Sequence, residues 1–139
     1  MAATLSDIRT ALKTTMTGVS GLRCFDTAPD NPSFPAAIVI PTGAEFDQAM
    51  GRGLDEYRFD VIVMAQGQSD RAGQTALDAL VSGAGSSSIR AVLWADPTLG
   101  QVVSTSRVEG MTAYGESQTP DGARYYRATL TVVVQTRGV

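Results

Sequence analysis

The amino-acid sequence predicts an α+β fold: a mostly antiparallel sheet of four to five strands with helices packed on one face. Three observations lead there. The first residues space their apolar side chains as a helix does; the stretches 56–65 and 124–135 alternate apolar and polar residues as half-buried strands do; and two further helical segments lie between those stretches. At 139 residues the chain is expected to form one domain, 1–139, and a chain of that size buries roughly 70% of its unfolded surface, enough for a core without staples.

Thr4 to Gly18 reads as an amphipathic helix with Leu5, Ile8, Leu12 and Met16 on one face, opened by a capping box of Thr4 and Asp7 and ended by Gly18 or Gly21. Leu22 to Phe25 makes a short strand, and the three prolines of the following DTAPDNPSFP segment prevent regular pairing. Ala36 to Ile40 is a continuous apolar run between Pro35 and Pro41, which suits a strand buried on both faces and ended by its prolines. From Thr42 to Asp55 the pattern fails, and the segment reads as a long hairpin connection, with short strands of its own as the alternative.

Glu56 to Ala65 is a strand with Tyr57, Phe59, Val61 and Val63 on one face and Arg58 and Asp60 on the other. Ser69 is the expected N-cap of a helix whose buried stripe is Ala72, Ala76, Leu77 and Leu80, stopping near Gly83. SGAGSSS reads as a flexible connector, after which Ser88 caps a short helix carrying Ile89, Val92 and Leu93 and closed by Asp96-Pro97. Gln101 to Gly115 and Arg124 to Gln135 form the arms of a hairpin turning at Thr119 to Gly122, with Tyr126, Ala128, Leu130, Val132 and Val134 on one face of the second arm. No Lys or bulge is evident to protect the sheet edges, which leaves surface for partner chains.

Composition excludes several classes of function. A net charge of -3, and arginines scattered without a basic stripe, oppose a protein that grips nucleic acid through its phosphates. The single cysteine, Cys24, allows no internal disulfide and is expected to be a buried apolar residue. No segment approaches the roughly 18 apolar residues of a membrane span, and the first residues lack a leader's charge and apolar run, so a chain made in the cytoplasm is expected. With no histidine, the commonest general base and most zinc and iron sites are absent.

The remaining chemistry is weak. Asp55 and Glu56 are neighbours on a strand and point to opposite faces, while Asp26 and Asp30 are explained by turn capping. SGAGSSS lacks the spacing and lysine of a phosphate loop. Trp94 ends a helical stripe and suits a core or interface anchor. No catalytic residue, metal ligand or cofactor-binding residue is therefore expected. What stands out instead is the unassigned apolar and basic set of the Thr42 to Asp55 connection: Phe46, Met50, Arg52 and Leu54, a candidate contact patch. The alternative is that Phe46 and Leu54 fold back on the sheet.

One ordered set of segments carries a family resemblance: a DIRTAL helix, the short GLR strand, PDNP followed by PAAIVIP, GRGLDEYRFDVIV, SDRAGQTALDALVSGAG, SSIRAVLWADPTLG and VSTSRVEGMTAYG. Together they resemble the tail terminator proteins of long non-contractile-tailed bacteriophages, in the form common in phages of actinobacterial hosts. The resemblance implies a non-enzymatic virion protein, assembled in the host cytoplasm, that forms a hexameric ring at the head-proximal end of the tail. Its implied partners are further copies of itself, the major tail tube protein and a head-tail connector or stopper protein; DNA passes through without specific binding, and no membrane is involved. Another neck component, such as a connector or completion protein, is a neighbouring reading. A small ligand-binding α+β domain using the Asp26 to Pro35 loop is a more distant one. The contact-patch reading predicts that Arg52→Glu combined with Phe46→Ala weakens assembly while the monomer stays folded; unchanged ring formation by negative-stain microscopy would remove that connection from the interface.

Overall fold

In a computed structural model of the chain, residues 3–19, 21–25, 35–46, 54–66, 70–118 and 124–137 are described. The elements run α1 (Leu5–Met16), β1 (Arg23–Phe25), β2 (Ala36–Glu45), β3 (Leu54–Ala65), α2 (Asp70–Val81), α3 (Ile89–Ala95), β4 (Thr105–Gln118) and β5 (Arg124–Arg137). The five strands form one sheet in the order β1-β2-β3-β5-β4, parallel only between β1 and β2. The expected α+β architecture is the observed one.

The strand pair β3–β5 runs without a bulge from Leu54 opposite Arg137 to Ala65 opposite Tyr126. Strict alternation therefore holds on both strands, and Tyr57, Phe59, Val61 and Val63 share a face with Tyr126, Ala128, Leu130, Val132 and Val134, as the patterning predicted. All three helices cover this face: Ile8, Leu12 and Met16 from α1, Leu77 and Leu80 from α2, and Ile89 and Leu93 from α3 join the strand residues in one buried cluster. Phe59 lies at 0% exposure in it.

The open face of the sheet is divided along its length. At one end Ala36, Ile38 and Met64 are buried among Phe25, Ile40, Ile62 and Tyr125. At the other end Arg58 reaches across β5 to Glu109, with Nη1 to Oε1 at 2.7 Å, and Arg107 holds the second oxygen of the same carboxylate at 3.3 Å. Val133, opposite both Arg58 and Arg107, is buried between these long side chains.

Helix α1 begins with the expected capping box: the Asp7 amide donates to Thr4 Oγ1 at 3.2 Å and the Thr4 amide donates to Asp7 Oδ2 at 3.0 Å. Its buried stripe is Ile8, Ala11, Leu12 and Met16; Leu5, expected on that face, is 37% exposed. In α2 the phase also differs. Gly73, Leu77 and Leu80 face the sheet, whereas Ala72 and Ala76 lie on the exposed side. The large residues Leu77 and Leu80 set the helix rotation, and the alanines contribute too little apolar area to compete. The proposed cap, Ser69, lies outside the described residues.

The SGAGSSS connector is pinned rather than free. Ser88 is buried, its hydroxyl donates to the Ser82 carbonyl at 2.5 Å, and its oxygen caps α3 by accepting from the Ala91 amide at 3.1 Å. Arg90 Nη1 donates to the Gly83 carbonyl at 3.3 Å. Gly18 allows α3 to approach the end of α1, since a Cβ there would stand 3.2 Å from Val92 Cγ1.

Three further expectations are corrected. β2 does not stop at Pro41 but continues to Glu45, with a register shift between Pro41 and Gly43. Pro41 lies at the register shift of the β2–β3 pairing, a setting in which its missing N–H is tolerated. The hairpin arm expected from Gln101 starts at Thr105, because Leu99, Gly100 and Gln101 have φ of 52, 73 and 70° and turn the chain in the left-handed sense. Asp96 stabilises this turn by accepting from the Gly100 amide at 3.0 Å, and the Leu99 side chain is buried beneath it. Finally, the edge strand β4 is bulged twice, between Val108 and Gly110 and between Thr112 and Gly115, where Ala113 has φ 57°. The edge expected to be unprotected is interrupted in the manner that discourages indiscriminate strand pairing. The turn residues Thr119 to Gly122 lie outside the described residues.

Two stability predictions follow from these contacts. Ser88→Ala removes the α3 cap and leaves the Ser82 carbonyl without its donor, which is expected to cost about 1–2 kcal/mol in urea unfolding with unchanged circular dichroism; a cost near zero would show that the connector does not depend on Ser88. Tyr114 on β4 donates to Asp78 Oδ1 of α2 at 2.7 Å, and partial withdrawal from solvent, then this bond, push its hydroxyl up to about 12. The native state therefore holds the phenolic proton more tightly than the unfolded chain, so the contribution is complete below pH 10, the ordinary value, and is lost as pH rises through about 12. Tyr114→Phe is expected to lower the urea midpoint at pH 8 and to flatten its fall between pH 8 and 11; an identical alkaline slope in the variant would contradict this.

Candidate assembly interface

The described part of the β2–β3 hairpin ends on one side at Phe46 and on the other at Leu54. Glu45 is opposite Glu56, which places Glu45 on the open face with Glu56 and Arg58. Phe46 turns the other way and meets Tyr57 edge-on, with centroids 5.9 Å apart and planes at 82°, yet remains 63% exposed. Leu54 is half-buried at the start of β3, opposite Arg137, in the alternation of the open face. Phe46 and Leu54 are thus set on opposite faces rather than in one patch, Phe46 resting on Tyr57 but mostly exposed and Leu54 half-buried. Met50 and Arg52 lie outside the described residues.

The two acidic residues at the start of β3 diverge as their adjacency required. Glu56 is held on the open face by Arg58 Nε at 3.4 Å and by Gln135 Nε2 at 3.5 Å, while Asp55 is buried on the other side of the strand, opposite Thr136. Asp26 and Asp30 are outside the described residues. Among the described residues no group of three or more His, Cys, Asp or Glu side chains is placed to hold a metal ion.

A groove of about 600 Å³ runs between α1 and the left-handed turn, lined by Asp7, Thr10, Thr14, Asp96, Leu99 and Val102. Its carboxylates are already engaged. Asp7 closes the capping box, and the amide and hydroxyl of Thr4 lower its pKa, while Asp96 binds the Gly100 amide. Both carboxylates are taken up in holding backbone amides. The Cys24 thiol is pushed up to about 11 by burial, against the opposing influence of Lys13, so it is protonated at neutral pH and a poor nucleophile.

A second surface is built by α3 and the edge strand β4. Ile89 and Leu93 fix the buried side of α3, and Trp94, the residue after Leu93, is carried out to 74% exposure. The expected alternatives for Trp94 were core and interface anchor; its exposure removes the first. The Arg90 guanidinium lies 6.0 Å from the ring centroid, one helical turn earlier. Arg90, Leu93, Trp94, Ser106, Arg107 and Val108 enclose a recess of about 180 Å³ that wraps around β4. Within it Arg107 shares the open face with Arg58, while Leu93 and Trp94 belong to the helix side.

This surface was only partly legible in the sequence. The spacing of Arg90 and Trp94 on one short helix was readable, but the approach of Arg107 depends on where β4 begins, and the left-handed turn at Leu99 to Gln101 decides that. Tyr and Trp with arginine are the side chains that most often anchor protein contacts, because they bury large areas with few rotamers to immobilise.

No helix among the described residues is long and apolar enough to cross a membrane. No curated protein matches the chain. The family described as tail completion protein gp17 matches residues 6–137, almost the full 139. With that span, the chain belongs to the tail completion protein gp17 family and has a structural role in the phage tail.

Proposed function

We propose that the protein forms a ring, a hexamer by the resemblance described above, that caps the head-proximal end of the tail tube, ends tube polymerisation and presents the surface on which the head docks. The family match over residues 6–137 carries this reading, since completion of a tail is the step at which growth must stop and the free end must be made competent for joining. The candidate interface supports it: Phe46 and Trp94 are exposed aromatics on two different parts of the molecule, as a head-to-tail contact requires. The partners in this reading are neighbouring copies, the major tail tube protein and a connector or stopper on the head. The net charge of -3 suits a conduit that lets the duplex pass, because a strongly basic lumen would retain it through its phosphates.

Electron microscopy of particles made without this protein tests the proposal. The expected result is tails of irregular or excessive length lacking a head-proximal collar, with filled heads left unjoined. Normal-length, capped tails with heads unattached would instead favour a connector acting after termination, and intact virions would exclude both roles.

A further inference from the structure

Resting on the ring reading, we infer that neighbouring copies join by seating the Glu45–Phe46 end of β2 from one copy in the Trp94–Arg90–Arg107 recess of the next.

The sheet register supplies the geometry. Glu45 is opposite Glu56, Glu56 is opposite Gln135, and Gln135 is opposite Thr105, so one transverse row runs from the end of β2 to the start of β4. Three strand spacings separate the ends of that row, about 14 Å of backbone. The two patches therefore lie at the same end of the sheet, one at the end of β2 and the other on the edge strand β4.

The faces correspond as well. Glu45 is on the open face, as is Arg107; Phe46 contacts Tyr57 on the helix side, where Trp94 also stands. Displacing one copy sideways along the strand order brings carboxylate toward guanidinium on one face and aromatic toward aromatic on the other. No inversion of the molecule is needed. A contact between two different patches is heterologous, and such a contact repeats from copy to copy until the rotation between copies closes it.

The chemistry is complementary. The recess has two arginines at its rim and the apolar surfaces of Leu93, Trp94 and Val108 within. Its occupant should bring an acidic group beside an aromatic one, and Glu45–Phe46 offers both in adjacent, exposed positions. Arg107 already binds Glu109 through Nη2 at 3.3 Å, which orients its planar fork while other N–H groups can meet a second carboxylate. The aromatic contact replaces two exposed apolar surfaces with one buried one, and the ion pair fixes the register between copies.

The test uses the full chain with tail tubes. Phe46→Ala and Trp94→Ala, both at exposed positions, are expected to keep wild-type dichroism and melting, and each alone is expected to lose ring formation with association weakened roughly tenfold or more. Mixed together they retain one good contact, between Phe46 of the Trp94→Ala chain and Trp94 of the Phe46→Ala chain, so the mixture should give pairs and nothing larger by mass photometry. Glu45→Arg and Arg107→Glu should each weaken assembly, and the doubly exchanged chain should recover it. Single variants that still form rings as the wild type does would overturn this contact and leave the ring reading standing. A wild-type chain that forms no ring at tube ends would overturn both.

Discussion

The unbroken pairing of β3 with β5 is the constraint on which the rest of the structure depends. Because no residue is inserted anywhere between Leu54–Arg137 and Ala65–Tyr126, the two strands keep their side chains strictly sorted between faces. One face is apolar enough to hold three helices. The other is left to Glu56, Arg58, Gln135 and their neighbours. A single inserted residue in this pair would exchange the faces over half its length, burying Arg58 and exposing Phe59 together. The irregular strands β2 and β4 lie outside this pair, and their bulges bend the borders of the sheet without disturbing its centre.

That division also decides what the sequence could reveal. The capping box at Thr4 and Asp7, the faces of β3 and β5 and the Ser88 cap all depend on residues within a few positions of one another, and local spacing was enough to read them. The discrepancies arise where a longer-range fact decides. Pro41 looks like a strand end until one knows that β2 goes on pairing with β3 beyond it, through a register shift between Pro41 and Gly43. Leu99 and Gln101 are not residues that advertise left-handed backbone; it is Asp96 bonding to Gly100, together with the burial of Leu99, that makes the turn affordable. The rotation of α2 follows its leucines rather than its alanines because area, not count, determines which side is buried.

The candidate interface shows the same boundary. Phe46 was noticeable as an aromatic stranded among polar residues, and it is 63% exposed. Arg107 carried no local signal at all. Its relation to Trp94 is created by α3 crossing beside β4 and by the turn that sets where β4 starts. The sequence has no histidine, burial holds the Cys24 thiol protonated, and Asp7 and Asp96 bond to backbone amides, so these particular polar groups serve to hold shape.

The measurement that bears most directly on the proposed assembly is a cross-link between copies. In a Cys24→Ala background, a chain carrying Ala44→Cys and Ala95→Cys, exposed positions beside Phe46 and Trp94 that leave both aromatics in place, treated with a thiol-directed cross-linker after assembly on tail tubes, is expected to yield a ladder of covalent multimers ending in one discrete closed species, with either single-cysteine variant remaining monomeric on a denaturing gel. Dimers from a single-cysteine variant would reveal a symmetric contact, and uniformly monomeric product from the double variant would place the two patches apart; either result contradicts a ring closed through this row of the sheet.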